Sequence, residues 1–90
     1  MKMPQATAGS LESNDILITI TRTAATDNKV ELESIVFQQY GTAILALIQE
    51  TIASFGLKAV HVYAQDRGAL DCTIRARMEA AILRYKELAL

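Results

Sequence analysis

Three side chains in this sequence could take part in chemistry: Ser13, His61 and Cys72. His61 is the sole histidine. No acid stands at useful spacing on its strand, so a Ser-His-Asp arrangement cannot be assembled. A histidine on a strand surface is its plain reading. Cys72 is the sole cysteine. In the first turn of a helix its thiolate would gain from the dipole, but the expectation here is the commoner fate, a small buried hydrophobe. Ser13 lies in Gly9-Ser10-Leu11-Glu12-Ser13-Asn14-Asp15. Ser, Asn and Asp favour turns because their side chains bond to nearby backbone, and Asn tolerates positive φ. A serine attacks only with a base beside it, and none is at an arguable position. The residue types leave two readings open. Ser13 is a plain turn serine, or it is an exposed acceptor for a group delivered by a separate transferase that brings the base and metal.

Other constellations are thin. The four glycines are scattered, so no phosphate-cradling loop exists, and Asp66-Arg67-Gly68 reads as a turn and helix cap. No metal-ligand spacing is visible. Arg67, Arg75, Arg77 and Arg84 put guanidinium groups on or near one helix. They could grip a phosphate-bearing group or an acidic surface, or form a solvated face balanced by Asp71, Glu79 and Glu87.

The elements that would position these residues follow from periodicity. Residues 1–8 are small and polar, a flexible arm or the first part of an edge strand. Ile16, Ile18 and Ile20 alternate with Leu17, Thr19, Thr21 and Thr23, which makes a half-buried strand. Residues 24–28 are turn chemistry. Val30 and Leu32 between Lys29, Glu31 and Glu33 give a second strand, expected to pair antiparallel with the first. Ser34 is expected to cap the next helix. Its inward stripe is Phe37, Tyr40, Ile44, Leu47, Ile48, Thr51, Ile52 and Phe55, about five turns long. Gly56 stands where a C-terminal glycine belongs. Residues 57–64 form a further strand, with Val60, Val62 and Ala64 on one face. A second helix follows Gly68, with the stripe Leu70, Ile74, Met78, Ala81, Ile82 and Tyr85, Asp71 in its first turn, and an Asp71–Arg75 pair. The expected fold is a small two-layer α/β sandwich in the order β-β-α-β-α, a mixed sheet with two helices on one face.

Ninety residues fit a single domain, 1–90. With 51% hydrophobic residues and a net charge of −1, the chain has neither the composition of a disordered segment nor the charge of a nucleic-acid or anionic-membrane binder. One cysteine permits no internal disulfide and suits a reducing compartment. Met1-Lys2-Met3-Pro4-Gln5 precedes no apolar h-region, and the longest apolar run, residues 43–48, is far short of a membrane span. A cytoplasmic setting is expected.

Two blocks carry a family likeness. Ala8-Gly9-Ser10-Leu11-Glu12-Ser13-Asn14-Asp15 resembles the N-terminal signature of the citrate lyase acyl carrier proteins, the γ subunits of that bacterial complex. Asp66-Arg67-Gly68-Ala69-Leu70-Asp71-Cys72-Thr73-Ile74-Arg75-Ala76-Arg77-Met78-Glu79-Ala80 resembles the same family's C-terminal helix motif. With residues 37–40 and Val60-x-Val62, the likeness covers nearly the whole chain. Position 14 is Asn where the family pattern most often has Gly, and both residues allow positive φ.

The resemblance implies that Ser13 carries the prosthetic group, 2'-(5''-phosphoribosyl)-3'-dephospho-CoA, through a phosphodiester. It implies a non-catalytic carrier whose arm presents acetyl and citryl thioesters to an α subunit (acyl transferase) and a β subunit (citryl lyase), after loading by a holo-carrier-forming transferase. A related carrier, such as that of malonate decarboxylase, and a cofactor-free α/β interaction module are the alternatives.

Overall fold

A computed structural model describes residues 4–89. The order is β1 (Gln5–Gly9), β2 (Ile16–Arg22), β3 (Lys29–Ser34), α1 (Phe37–Ser54), β4 (Val60–Asp66) and α2 (Asp71–Ala89). Four strands form one mixed sheet in the order β1-β2-β4-β3. The two helices pack against each other, α2 over β1 and β2 and α1 over β3, which makes the expected two-layer α/β sandwich. Of the residues assigned above to an arm or an edge strand, 5–8 lie in edge strand β1. Residues 1–3 lie outside the described residues.

The core follows the alternation. Ile16, Ile18 and Ile20 are fully buried, as are Val60, Val62 and Ala64. Antiparallel pairing sets Ile18 beside Ala64 and Ile20 beside Val62, so both strands turn these side chains to the same layer. Ile44, Leu47, Ile48 and Ile52 of α1 and Ile74, Met78, Ala81, Ile82 and Tyr85 of α2 meet them. On β1 only Ala6 and Ala8 face α2.

Pairing of β2 with β3 does not occur. β4 lies between them, antiparallel to β2 and parallel to β3. The connection after β2 is fastened to the start of β4 instead. Thr23 N donates to Ala59 O at 2.9 Å, Val60 N donates to Asn28 Oδ1 at 3.0 Å, and Asn28 Nδ2 donates to Leu57 O at 3.0 Å. β3 carries Lys29, Glu31 and Glu33 on one face, which suits a sheet edge. The fully buried face of β4 suits the centre. β3, α1 and β4 make a parallel βαβ unit, whose crossover requires the intervening helix.

Ser34 does not cap α1. The N-cap is Val36, with no side-chain cap bond. Ser34 Oγ accepts from Val36 N at 3.1 Å and donates to Asp66 Oδ2 at 2.7 Å, so it is committed to the end of β4. At the other end of α1, Gly56 has φ 68° and its N–H donates to Ala53 O, while Leu57 N donates to Ile52 O. These two bonds form a Schellman closure. Lys86 Nζ of α2 adds a bond to Phe55 O at 3.1 Å.

The apolar stripes continue beyond the core. Tyr40 is 57% exposed, Leu70 is 70% exposed, and Phe37 is also exposed, although all three were expected on buried faces. Burial in α1 begins at Gly41 and in α2 at Ile74, so the apolar side chains in the first turn of α1 and at the start of α2, with Leu70 just before it, are uncovered. Cys72, in the first turn of α2, is likewise exposed rather than buried. The predicted Asp71–Arg75 pair is absent from the ion pairs among the described residues. Both side chains are exposed, where pairing adds little against lost rotamer freedom.

Candidate functional site

β1 and β2 are joined by residues 10–15, and the geometry of this loop is set at its two ends. Gly9, at φ 93°, opens it. A Cβ there would lie 1.8 Å from Ile16 O and 3.3 Å from Arg77 Cδ, so the missing side chain admits both the returning strand and the stem of an arginine from α2. Asn14, at φ 64°, closes the loop in the left-handed region, as its sequence position suggested.

Asp15 fastens the loop to its surroundings. Its Oδ2 accepts from Ser10 Oγ at 2.7 Å, and its Oδ1 accepts from Ile16 N at 2.7 Å and from Arg77 Nε at 3.0 Å. Arg77 Nη2 reaches Oδ2 at 3.4 Å. The Arg77 hydrogen bond, followed by that of Ser10, holds the Asp15 carboxyl down at about 2. Backbone bonds add a second fastening: Asn14 N donates to Arg67 O at 2.8 Å and Arg67 N donates to Asp15 O at 2.9 Å. Glu12 N donates to Ser10 Oγ at 3.3 Å, and Asp15 N donates to Glu12 O at 3.2 Å. Ser13 stands exposed between these fixed neighbours. Its loop is therefore held while the hydroxyl faces solvent.

The segment gripping the loop is itself tied down by Asp66, which local sequence marks only as part of a turn. Asp66 is fully buried at the end of β4. Its carboxylate accepts from Ser34 Oγ at 2.7 Å, Gly68 N at 3.2 Å and Ala69 N at 3.0 Å. Each bond answers part of the burial cost of a charged group. The continuing period of Val60, Val62 and Ala64 points to position 66 as buried, and an Asp two residues before Gly is turn chemistry. Gly68 lies within this turn at φ 88° and does not cap α2, whose first recorded bond is from Ile74 N to Leu70 O.

Beside the loop, an apolar groove of about 630 Å³ runs between Val36, Tyr40, Ala43 and Ile44 on one side and residues 68–72 on the other.

The arginines do not converge. Arg77 is held by Asp15, Arg67 Nη2 lies 3.7 Å from Glu33 Oε1, and Arg84 Nη1 donates to Thr7 O at 2.7 Å. Arg75 borders a second groove with Glu50 and Glu79. No joint phosphate grip is assembled from them. His61 lies on the sheet face away from the helices, its Nε2 3.5 Å from Glu31 Oε1. Among the described residues no group of three or more His, Cys, Asp or Glu could hold a metal ion. No helix among them is long and apolar enough to cross a membrane.

Comparison with known proteins places this arrangement. The acyl carrier family model described as "Malonate decarboxylase delta subunit (MdcD)" matches residues 3–85. Citrate lyase acyl carrier protein of Klebsiella pneumoniae is 46% identical over 79 residues, covering 88% of this chain and 81% of that one. The Streptococcus uberis protein of the same name is 51% identical over 83 residues, covering 91% and 80%. The chain belongs to the citrate lyase acyl carrier protein family. The names of these relatives and the matching family model support an acyl carrier role for the chain. Among solved structures, a chain of a Pseudomonas malonate decarboxylase hetero-tetramer in complex with malonate superposes with a TM-score of 0.70 at 15% identity. The match covers 97% of this chain and 88% of that one, and it shows that the citrate lyase carrier fold described above recurs there.

Proposed function

We propose that this chain is the acyl carrier subunit of a bacterial citrate lyase in the cytoplasm, with phosphoribosyl-dephospho-coenzyme A attached to Ser13 through a phosphodiester. The observation that carries the reading is the loop itself: Ser13 is exposed, while Asn14 and Asp15 on one side and Ser10 on the other are bonded in place. Such a hydroxyl is suited to being acted upon. Attachment forms an Oγ–P bond as the phosphorus of an activated precursor loses its leaving group, and the hydroxyl proton passes to a base of the modifying transferase. When bound, the group supplies a thiol that holds acetyl or citryl as a thioester.

The residues present fit that group. Ser10, the competing hydroxyl three positions earlier, already donates to Asp15 and accepts from Glu12 N. Asp15 and Arg77 neutralise each other at the loop base, which leaves exposed Glu12 as the one loop carboxylate without an ion pair among the described residues. The α subunit would exchange acetyl for citryl on the arm, and the β subunit would release oxaloacetate. Tethering raises the local concentration of the thioester at each of their active sites.

Intact-mass measurement of chain produced with its transferase tests this. A single adduct is expected, lost in Ser13→Ala and kept in Ser10→Ala. Unchanged mass in the presence of an active transferase would remove the reading. A malonate decarboxylase carrier is the second reading, favoured by the description of the matching family model and by the fold shared with the Pseudomonas hetero-tetramer. Co-purification with two larger subunits, and whether the loaded complex consumes citrate or malonate, separates the two. A cofactor-free interaction module would give neither adduct nor turnover.

A further inference from the structure

The groove beside the loop is apolar, and only part of its lining, Val36, Ile44 and Ala69, belongs to or packs against the core. Its volume of about 630 Å³ falls within the roughly 300–1,000 Å³ usual for small-molecule sites. Tyr40 and Leu70 contribute large side chains that are more than half exposed. A contiguous uncovered apolar surface of this kind marks a place where something binds.

The position of the groove says what that is. Gly68 lies in its wall, and a Cβ at Gly68 would stand 3.7 Å from Asn14 Oδ1 and 3.9 Å from Ile35 Cδ1. A methyl-sized space therefore separates Gly68, in the groove wall, from Ile35 and from Asn14 in the loop. Ser13 is the next residue, about 3.8 Å away along the backbone. Asp71 is the one charged side chain in the lining. Its carboxylate disfavours an anionic occupant and leaves a neutral one undisturbed.

We infer that this groove shelters the uncharged acetyl-thioester end of the arm anchored at Ser13 between visits to the partner subunits. The inference rests on the reading of Ser13 as the anchor. A tether places its own end near the groove at millimolar effective concentration, so weak apolar contact is enough to fill it. A citryl group adds free carboxylates that meet the apolar wall and Asp71, and it leaves the groove. Shelter thus distinguishes the resting arm from the arm ready for cleavage.

Cys72 reports on this directly. It lines the groove, is exposed, and is the chain's sole cysteine. Acetylation blocks the arm's own thiol, so iodoacetamide then reads Cys72 alone. Intact mass first establishes that Ser13 is loaded. Alkylation of Cys72 in the acetyl-loaded protein should be roughly threefold slower than in unloaded protein, the result of about two-thirds occupancy by the tethered end. The citryl-loaded protein should react at the unloaded rate, and the amide resonances of residues 68–72 should shift only in the acetyl form. A loaded Ser13 with unchanged Cys72 rates and unmoved resonances overturns the groove and leaves the anchor standing. No adduct on Ser13 overturns the anchor, and the groove's occupant with it.

Discussion

Arg77 donates its Nε hydrogen to Asp15 Oδ1 at 3.0 Å, across 62 positions of sequence, and so ties the second turn of α2 to the loop that presents Ser13. The stem of Arg77 reaches Asp15 past Gly9, where a side chain would intrude. One ion pair joins the two blocks whose pattern marks the family.

The pair makes stability depend on acid. The Asp15 carboxyl titrates at about 2 in the folded chain and at about 3.9 unfolded. Between those values the unfolded chain binds more protons, so stability rises with pH. The contribution is complete above about pH 4 and is lost as pH falls through about 2. Urea midpoints from pH 2 to 6 should show this slope in the native chain and a shallower one in Asp15→Asn.

Removing the guanidinium tests the same tie from the other side. Arg77→Ala should cost about 1.5–3 kcal/mol, the usual range for hydrogen bonds to a charged group. Chemical denaturation measures it. Loading of Ser13 by the transferase should slow as well, because the loop loses its hold on α2.

Ser10 and Ser13 should part company. Ser13→Ala removes an exposed hydroxyl and should leave stability within about 0.5 kcal/mol while abolishing the adduct. Ser10→Ala should keep the adduct and lose about 1 kcal/mol, since Asp15 gives up a hydrogen bond. Intact mass and urea unfolding on the same two variants make the comparison.

The two positive-φ positions, Gly9 before the loop and Asn14 within it, should respond unequally. Gly9→Ala sets a Cβ 1.8 Å from Ile16 O at positive φ, so the backbone must shift. A loss of about 2 kcal/mol or more is expected. Asn14→Gly keeps the required φ of 64° and should change stability by less than about 0.5 kcal/mol. Thermal unfolding ranks them.

Asp66 offers a buried test. Asp66→Asn sets amide hydrogens against one of three donors, those of Ser34, Gly68 and Ala69. An unsatisfied buried donor costs about 1–3 kcal/mol. Ser34→Ala, which leaves two donors in place, should cost less. Denaturation of both variants checks the order.

Much of this architecture is legible in the sequence because periodicity reports which side of an element is buried. Ile16, Ile18 and Ile20, the interior of α1 from Ile44 and that of α2 from Ile74 all follow their period into the core. Periodicity is silent on neighbours. β3 pairs with β4 rather than β2, a choice fixed by Asn28 and Thr23 bonding to the start of β4. It is equally silent on where covering layers stop, so Phe37, Tyr40 and Leu70 keep the stripe yet lie uncovered. Polar roles are the least visible. Ser34 and Asp66 bond each other across 32 positions, and neither partner is implied by the other's local context.

The bonds that fix the Ser13 loop have a consequence for synthesis. Arg67 and Arg77 supply them, and both are translated more than fifty residues after the loop. A nascent chain that has released Ser13 but not α2 offers the serine on slack backbone. On the reading of Ser13 proposed above, a chain cut short before α2 is expected to be the poorer acceptor, because the Arg77 bond to the loop is then missing.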